Sequence, residues 1–235
     1  MNNYVIITSA INTTHGAYDP DTRLVQTLNT IQSVYDNIPN VKVCIVESSG
    51  MPVEKSIIDK LHKVTNCVVD MSNDQTLKYI HDNTENWDIV KNLCEMLAFN
   101  SALKMLKENN QFEDVDRVFK LSGRYVVNED FNPQYYEDNP DKIIVGQKIK
   151  SQFPKKIGIR YQYMSRLWSW PTSLQPVIDK FYIDAIDLYK KRFDENLYID
   201  IEHMMFKLLP KKHVLEVPLV GCHGRLAQNK EFVRN

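Results

Sequence analysis

Glycine is scarce, with seven in 235 residues, and none falls in a GxGxxG loop. That absence argues against a dinucleotide oxidoreductase, whose phosphate loop needs those glycines for a tight turn and close backbone approach. The four cysteines, Cys44, Cys67, Cys94 and Cys222, form no CxxC pair, and each lies in an apolar context. This argues against a zinc site and for reduced, mostly buried thiols in an intracellular, cytoplasmic protein. No apolar run is long enough to span a bilayer. Met1-Asn2-Asn3 lacks the basic start of a signal peptide, and the apolar run from Tyr4 to Ile7 is too short for one. The net charge of −1 gives no global attraction to nucleic acid. Repeats, low-complexity segments and evident linkers are also missing.

Hydrophobic residues make up 43% and charged residues 25% of the chain, the balance of an ordinary globular domain. Tyr4–Ala10 is a continuous β-rich run, as expected of a strand buried on both faces. The loop Asn12–Asp21 follows, and Asp21 or Thr22 is expected to cap a helix striped by Leu24, Leu28, Ile31 and Val34. Val41–Val46 is a second strand that closes on Glu47-Ser48-Ser49. A short helix (Val53–Val64), a third strand (Asn66–Asp70) and a helical turn (Leu77–His81) come next. A long helix over Asp88–Lys107 is apolar on several sides. Arg117–Leu121 then runs as a strand into Ser122-Gly123-Arg124. Strands alternating with helices predict one α/β domain with a mostly parallel central sheet flanked by helices, which binds ligands at the carboxyl ends of its strands.

Those strand ends carry Thr8-Ser9-Ala10, Glu47-Ser48, Asp70 and Ser122-Gly123-Arg124. Ser122 and Gly123 let another backbone or a ligand come close. Arg124 adds a fixed planar fork of donors suited to phosphate, although a β-turn with a surface arginine fits the local residues equally well. Further on, Asn128–Asp141 is expected to be a loop and Lys142–Gln147 a strand. Seven Lys or Arg and no acid occur between Lys142 and Arg166, with Phe153, Tyr161 and Tyr163 among them and Trp168 and Trp170 just after. Such a stretch can bind nucleic acid, hold an anionic small ligand, stack on a sugar ring, or simply form a solvated strand pair with core aromatics. Pro171–Arg192 is expected to be a loop followed by a helix, and Asn196–Leu209 a second helix with Asp200 and Glu202 near its start, where the helix dipole favours acids. A last strand, Val214–Val220, leads to Gly221-Cys222-His223-Gly224-Arg225. His223 is expected to be exposed between its glycines and able to bind a metal or a phosphate oxygen.

Three features taken together resemble a family. The first is Arg-x-x-Gln-Thr-Leu-x-Thr-Ile-x-Ser over Arg23–Ser33, after a strand ending in Thr8-Ser9. The second is the central Phe119-Lys120-Leu121-Ser122-Gly123-Arg124-Tyr125. The third is Asp200-x-Glu202 on a later helix. This order of parts resembles a glycosyltransferase of the GT-A type, of the divergent kind found in viral and bacterial surface-glycan gene sets.

The resemblance implies a nucleotide-diphosphate sugar donor and a glycan-type or other hydroxyl acceptor, with no nucleic-acid partner. It leaves peripheral membrane contact open. It implies that residues 1–127 form the nucleotide-binding half and 128–235 the acceptor half of one domain. Thr8, Ser9 and Ala10 would line base and ribose, with Glu47 and Ser48 near the base. Arg23, Ser122, Gly123 and His223 would lie along the phosphates. Glu202, or Asp200 in its place, would be the base of an inverting reaction, and Tyr163, Trp168 and Trp170 would wall the acceptor. Where such enzymes carry an Asp-x-Asp that grips Mn²⁺ or Mg²⁺ under the diphosphate, this chain has Ser122-Gly123-Arg124. The expectation is that Arg124 replaces the metal, so that no cofactor is required. Glu129 and Asp130, further along, could still supply ligands for Mn²⁺ or Mg²⁺. A nucleotidyltransferase and a catalytically inactive nucleotide- or sugar-binding module are the rival readings.

Overall fold

The computed structural model describes residues 1–13, 17–226 and 230–235. Gly16, in the loop after the first strand, lies outside them. The first half runs β1 (Asn3–Ser9), α1 (Pro20–Asn37), β2 (Val41–Glu47), α2 (Lys55–Val64), β3 (Cys67–Asp70), α3 (Gln75–Asn83), α4 (Trp87–Ile89), a π-helical stretch (Val90–Cys94), α5 (Glu95–Glu108), β4 (Arg117–Ser122) and β5 (Tyr125–Val127). The second half runs α6 (Gln134–Glu137), β6 (Ile143–Gly146), β7 (Ile149–Lys150), α7 (Pro154–Ile157), β8 (Tyr161–Gln162), β9 (Leu167–Pro171), α8 (Gln175–Asp194), α9 (Ile201–Leu208), β10 (Val214–Val217), β11 (Cys222–Arg225) and β12 (Phe232–Arg234).

Seven strands form one sheet in the order β10-β6-β9-β4-β1-β2-β3. The pairs β1–β2, β2–β3, β1–β4 and β6–β10 are parallel, and β9 alone runs antiparallel, between β4 and β6. This is the mostly parallel α/β sheet expected from the strand–helix alternation, and it passes without a break through both halves. A smaller antiparallel sheet, β12-β11-β5, sits beyond the tip of β4.

Side-chain alternation decides which residue meets which layer. In β1, Tyr4 and Ile6 pack into a core shared with α5, α8 and α9, while Val5 and Ile7 pack into the core under α1. In β4, Val118 joins the α5 side, and Phe119 and Leu121 join the α1 side. The same alternation carries Lys120 onto the α5 side, 1% exposed. A buried ammonium there is costly unless an anion answers it.

Two local expectations need correction. Asp19, not Asp21 or Thr22, caps α1: Thr22 N–H donates to its Oδ1 at 2.8 Å, and Pro20 takes the first helical position, where no N–H is required. The Asn128–Asp141 loop contains the short α6. Leu167–Pro171, at the end of the basic, aromatic-rich stretch, is a fully buried central strand, the alternative of a strand with core aromatics.

Candidate functional site

A cleft of about 210 Å³ opens at the carboxyl ends of β1, β2 and β4. Gly123 makes its floor compact. Its N–H donates to the Thr8 carbonyl at 2.8 Å, and a Cβ at that position would stand 2.9 Å from the same oxygen. The close approach expected of this glycine is therefore to the neighbouring strand. Ser48 N–H and Oγ both donate to the Ser9 carbonyl, at 2.9 and 3.1 Å, which ties the tips of β1 and β2 together.

Arg124 lines the cleft, half-buried, and its Nε is buried with no hydrogen-bond partner among the described residues. Its guanidinium lies 5.6 Å from the centre of the Tyr125 ring. Arg166 stands 5.4 Å from the same ring and donates to Asn235 Oδ1 at 2.7 Å. Arg23 also reaches the cleft, with Nε donating to the Ala10 carbonyl at 3.0 Å. Burial, then the charge of Arg124, pushes Arg23 down to about 10, which still leaves it charged at neutral pH. Three guanidiniums on one small cleft, one with an unanswered buried donor, form a site for an anion.

Across the floor runs a chain of hydrogen bonds. Lys120 Nζ donates to Glu95 Oε1 at 2.7 Å, to Ser122 Oγ at 2.9 Å and to the Ser165 carbonyl at 3.2 Å. Ser165 Oγ donates to Glu202 Oε1 at 2.7 Å. Burial works against ionisation of Glu95, but the charge and hydrogen bond of Lys120, with Lys91 and Arg124, hold its carboxyl below the ordinary value of 4.5. Glu95 and Lys120 were not singled out from the sequence. The available signal was a lysine inside an otherwise apolar strand, which implies a buried anion elsewhere.

No family model and no curated protein matches the sequence. Solved structures do match. The galactosyltransferase LgtC in complex with donor and acceptor sugar analogues superposes with a TM-score of 0.55 at 11% identity, over 91% of this chain and 73% of that one. An active-site mutant of LgtC gives 0.55 at 12% identity, over 91% and 72%. The apo form of the glycosyltransferase GlyE of Streptococcus pneumoniae TIGR4 gives 0.53 at 11%, over 92% of this chain and 45% of that one. The fold is GT-A. At these identities the likeness establishes architecture and leaves the chemistry to the residues.

On this GT-A scaffold Thr8, Ser9, Ala10, Arg23, Ser48, Ser122, Arg124 and Glu202 come together on the cleft. Other expected site residues do not. Glu47 is fully buried beneath the cleft, and its Oε1 accepts from the N–H groups of Ile11 and Ser49, each at 3.1 Å, fixing the loops after β1 and β2. Asp200 caps α9 and bonds Nδ1 of the buried His203 at 2.6 Å and the Tyr198 hydroxyl at 3.1 Å. His203 Nε2 in turn meets Ser151 Oγ at 2.9 Å. His223 belongs to β11, pairs with Asn128 Nδ2 at 3.1 Å and packs on Phe232, away from the cleft wall.

The expected acceptor wall is corrected most. Trp168 and Trp170 are 1% and 0% exposed and pack with Phe99 and Phe181 in the core. Tyr163 is equally buried, its hydroxyl donating to Glu216 Oε1 at 2.9 Å. Alternation along β9 points both tryptophans inward, where no acceptor reaches.

The β4 tip itself, Ser122-Gly123-Arg124, carries no carboxylate to grip Mn²⁺ or Mg²⁺. Among the described residues no three His, Cys, Asp or Glu side chains converge. Glu129 and Asp130 are both engaged by Arg234, at 2.9 and 2.6 Å. Asp-x-Asp occurs twice elsewhere: Asp19-Pro20-Asp21 at the start of α1, where Asp19 is the helix cap, and Asp114-Val115-Asp116, which precedes β4 at the opposite end of the strand, where Asp116 accepts from Asn2 N–H at 2.6 Å. No helix among the described residues is long and apolar enough to cross a membrane.

Proposed function

We propose that this protein is a glycosyltransferase that moves a sugar from a nucleoside-diphosphate sugar to a hydroxyl of a glycan or other acceptor. The observation that carries this reading is the unanswered buried Nε of Arg124 at the tip of β4, on a GT-A fold, facing a cleft that also holds Glu202. Arg124 stabilises the negative charge that grows on the departing diphosphate, a task a preorganised cation performs well in a partly water-excluded site. Arg23 and Arg166 add to the positive field around it. Thr8, Ser9, Ala10 and Ser48 line the nucleotide, and Ser122 and Gly123 shape the turn beneath it.

If the reaction inverts, Glu202 takes the acceptor proton while the acceptor oxygen attacks the anomeric carbon and the diphosphate leaves. The Ser165 hydroxyl holds that carboxylate in place. No step requires a divalent cation. Residues 1–127 supply most of the donor side, and residues 128–235 bring Glu202, Ser165 and Arg166 from the acceptor side. A cytoplasmic location, host cytoplasm for a viral source, suits an enzyme that draws on soluble nucleotide sugars.

The test is release of UDP or GDP from a panel of sugar nucleotides with simple glycoside acceptors, with and without EDTA. Release that needs an acceptor supports transfer. Nucleotide binding without release points to the rival reading, a binding module, which the absence of a carboxylate at the β4 tip favours.

A further inference from the structure

The ion pair on the cleft floor has no role in the transfer step as described. Lys120 spends its three protons on Glu95, Ser122 and Ser165, so it has no donor left for a ligand. Glu95 is placed differently. Its Oε1 takes the lysine and lies 3.5 Å from Thr8 Oγ1, while Oε2 accepts no hydrogen bond from the described residues. Its side chain is 25% exposed, and that exposure is to the cleft. Against the cost of burial, Lys120, with Lys91 and Arg124, holds the Glu95 carboxyl below the ordinary value. It also follows directly on the π-helical stretch Val90–Cys94, and single π-turns inside α-helices collect at functional sites. Through Lys120 and Ser165 it is joined to Glu202, so one polar strip spans the cleft floor with a carboxylate at either end.

We propose that Glu95 reads the transferred sugar: its second carboxylate oxygen, Oε2, accepts hydrogen bonds from the sugar's hydroxyl groups, and its charge turns away sugars that carry a carboxylate of their own. The donor is then a neutral hexose-type nucleotide sugar and not a uronate. This rests on the glycosyl-transfer reading, since a diphosphate held by Arg124 sets its sugar against the Glu95 strip. An ionised carboxylate is an acceptor only, which suits it to hydroxyls and makes a second carboxylate a like-charge neighbour in a half-buried site. Lys120 is a positioning residue, fixing the rotamer and charge of Glu95 from beneath.

The experiment is calorimetric titration of the full chain. The ligands are whichever of UDP and GDP a thermal-shift screen selects, its hexose conjugate (UDP-glucose or GDP-mannose) and its hexuronate conjugate. Wild type is expected to bind the hexose conjugate at least tenfold more tightly than the hexuronate. Glu95→Gln, nearly isosteric, is expected to cut that preference below threefold while affinity for the free nucleotide changes less than twofold. A merely structural role for Glu95 would instead weaken all three ligands together. Lys120→Met is expected to make the hexose preference fade with acid at a higher pH than in wild type, because Glu95 then loses its cation. Equal affinity of wild type for hexose and hexuronate conjugates overturns the proposal, as does an undiminished preference in Glu95→Gln. If wild type binds neither nucleotide, glycosyl transfer itself fails and this inference fails with it.

Discussion

Arg124 is the residue on which the site turns, and its geometry makes a numerical claim. A charge-assisted hydrogen bond contributes roughly 1.5–3 kcal/mol. Arg124→Ala should therefore weaken binding of the free nucleoside diphosphate by about 10- to 150-fold in calorimetry, and Arg124→Lys should recover only part, since the planar fork is lost. Undiminished binding in Arg124→Ala would remove its assigned role. Glu202 makes a separable claim. Glu202→Gln should leave nucleotide-sugar affinity nearly unchanged and lower kcat on the order of 10²–10⁴-fold if the enzyme inverts; an unchanged kcat would exclude it as the base. Glu95 also links the site to stability. Burial raises its carboxyl, but Lys120 together with Lys91 and Arg124 offsets burial, so the folded-state value lies below the ordinary 4.5. The ionised form therefore stabilises the fold above that pH, and this contribution is lost as pH falls through the folded value. Urea unfolding should show a stability gap between wild type and Glu95→Gln that is level near neutrality and narrows in acid.

At the scale of elements, β9 separates packing from recognition. Trp170 is fully buried against Phe99, and its Nε1 donates to Gln175 Oε1 at 2.8 Å. Trp170→Ala should cost about 3–5 kcal/mol and lower the midpoint of thermal unfolding by roughly 6–20 °C for a chain of this size. A variant that stays as stable as wild type but binds acceptor poorly would return the tryptophan to the acceptor wall. This strand also shows why sequence reading stopped where it did. The runs that became β1, β2 and β4 are rich in β-branched and apolar residues despite Lys42, Arg117 and Lys120, so their ends, and with them Thr8, Ser48 and Arg124, were legible. Leu167-Trp168-Ser169-Trp170-Pro171 alternates just as a strand does, but a ring wall beside a basic segment would show the same pattern. Only pairing with β4, Trp168 opposite Lys120 and Trp170 opposite Val118, distinguishes the two. Glu95 was illegible for a related reason. On a helix wheel it is one more polar position, and its partner Lys120 comes 25 residues later on a strand. The acid was visible and the contact was not.

At the scale of the whole molecule, the net charge of −1 hides a local concentration of positive charge. Arg23, Arg124 and Arg166 reach one cleft from α1, the β4–β5 turn and the segment before β9, so the field at the proposed diphosphate site is assembled from both halves of the chain. A cation covalently fixed in the fold differs from a bound metal in two measurable ways. It cannot be removed by a chelator, and its hold on an exposed anion weakens with ionic strength. Turnover in excess EDTA should thus stay within about twofold of the untreated rate, and added Mn²⁺ should not raise it. The Michaelis constant for the donor should climb steadily with salt while kcat moves little, because the guanidiniums bind the diphosphate from the ground state onward. If EDTA abolishes turnover and Mn²⁺ restores it, a divalent ion carries the leaving group after all. Arg124 is then left with binding alone, a distinction its alanine variant would register as a raised Michaelis constant with kcat preserved.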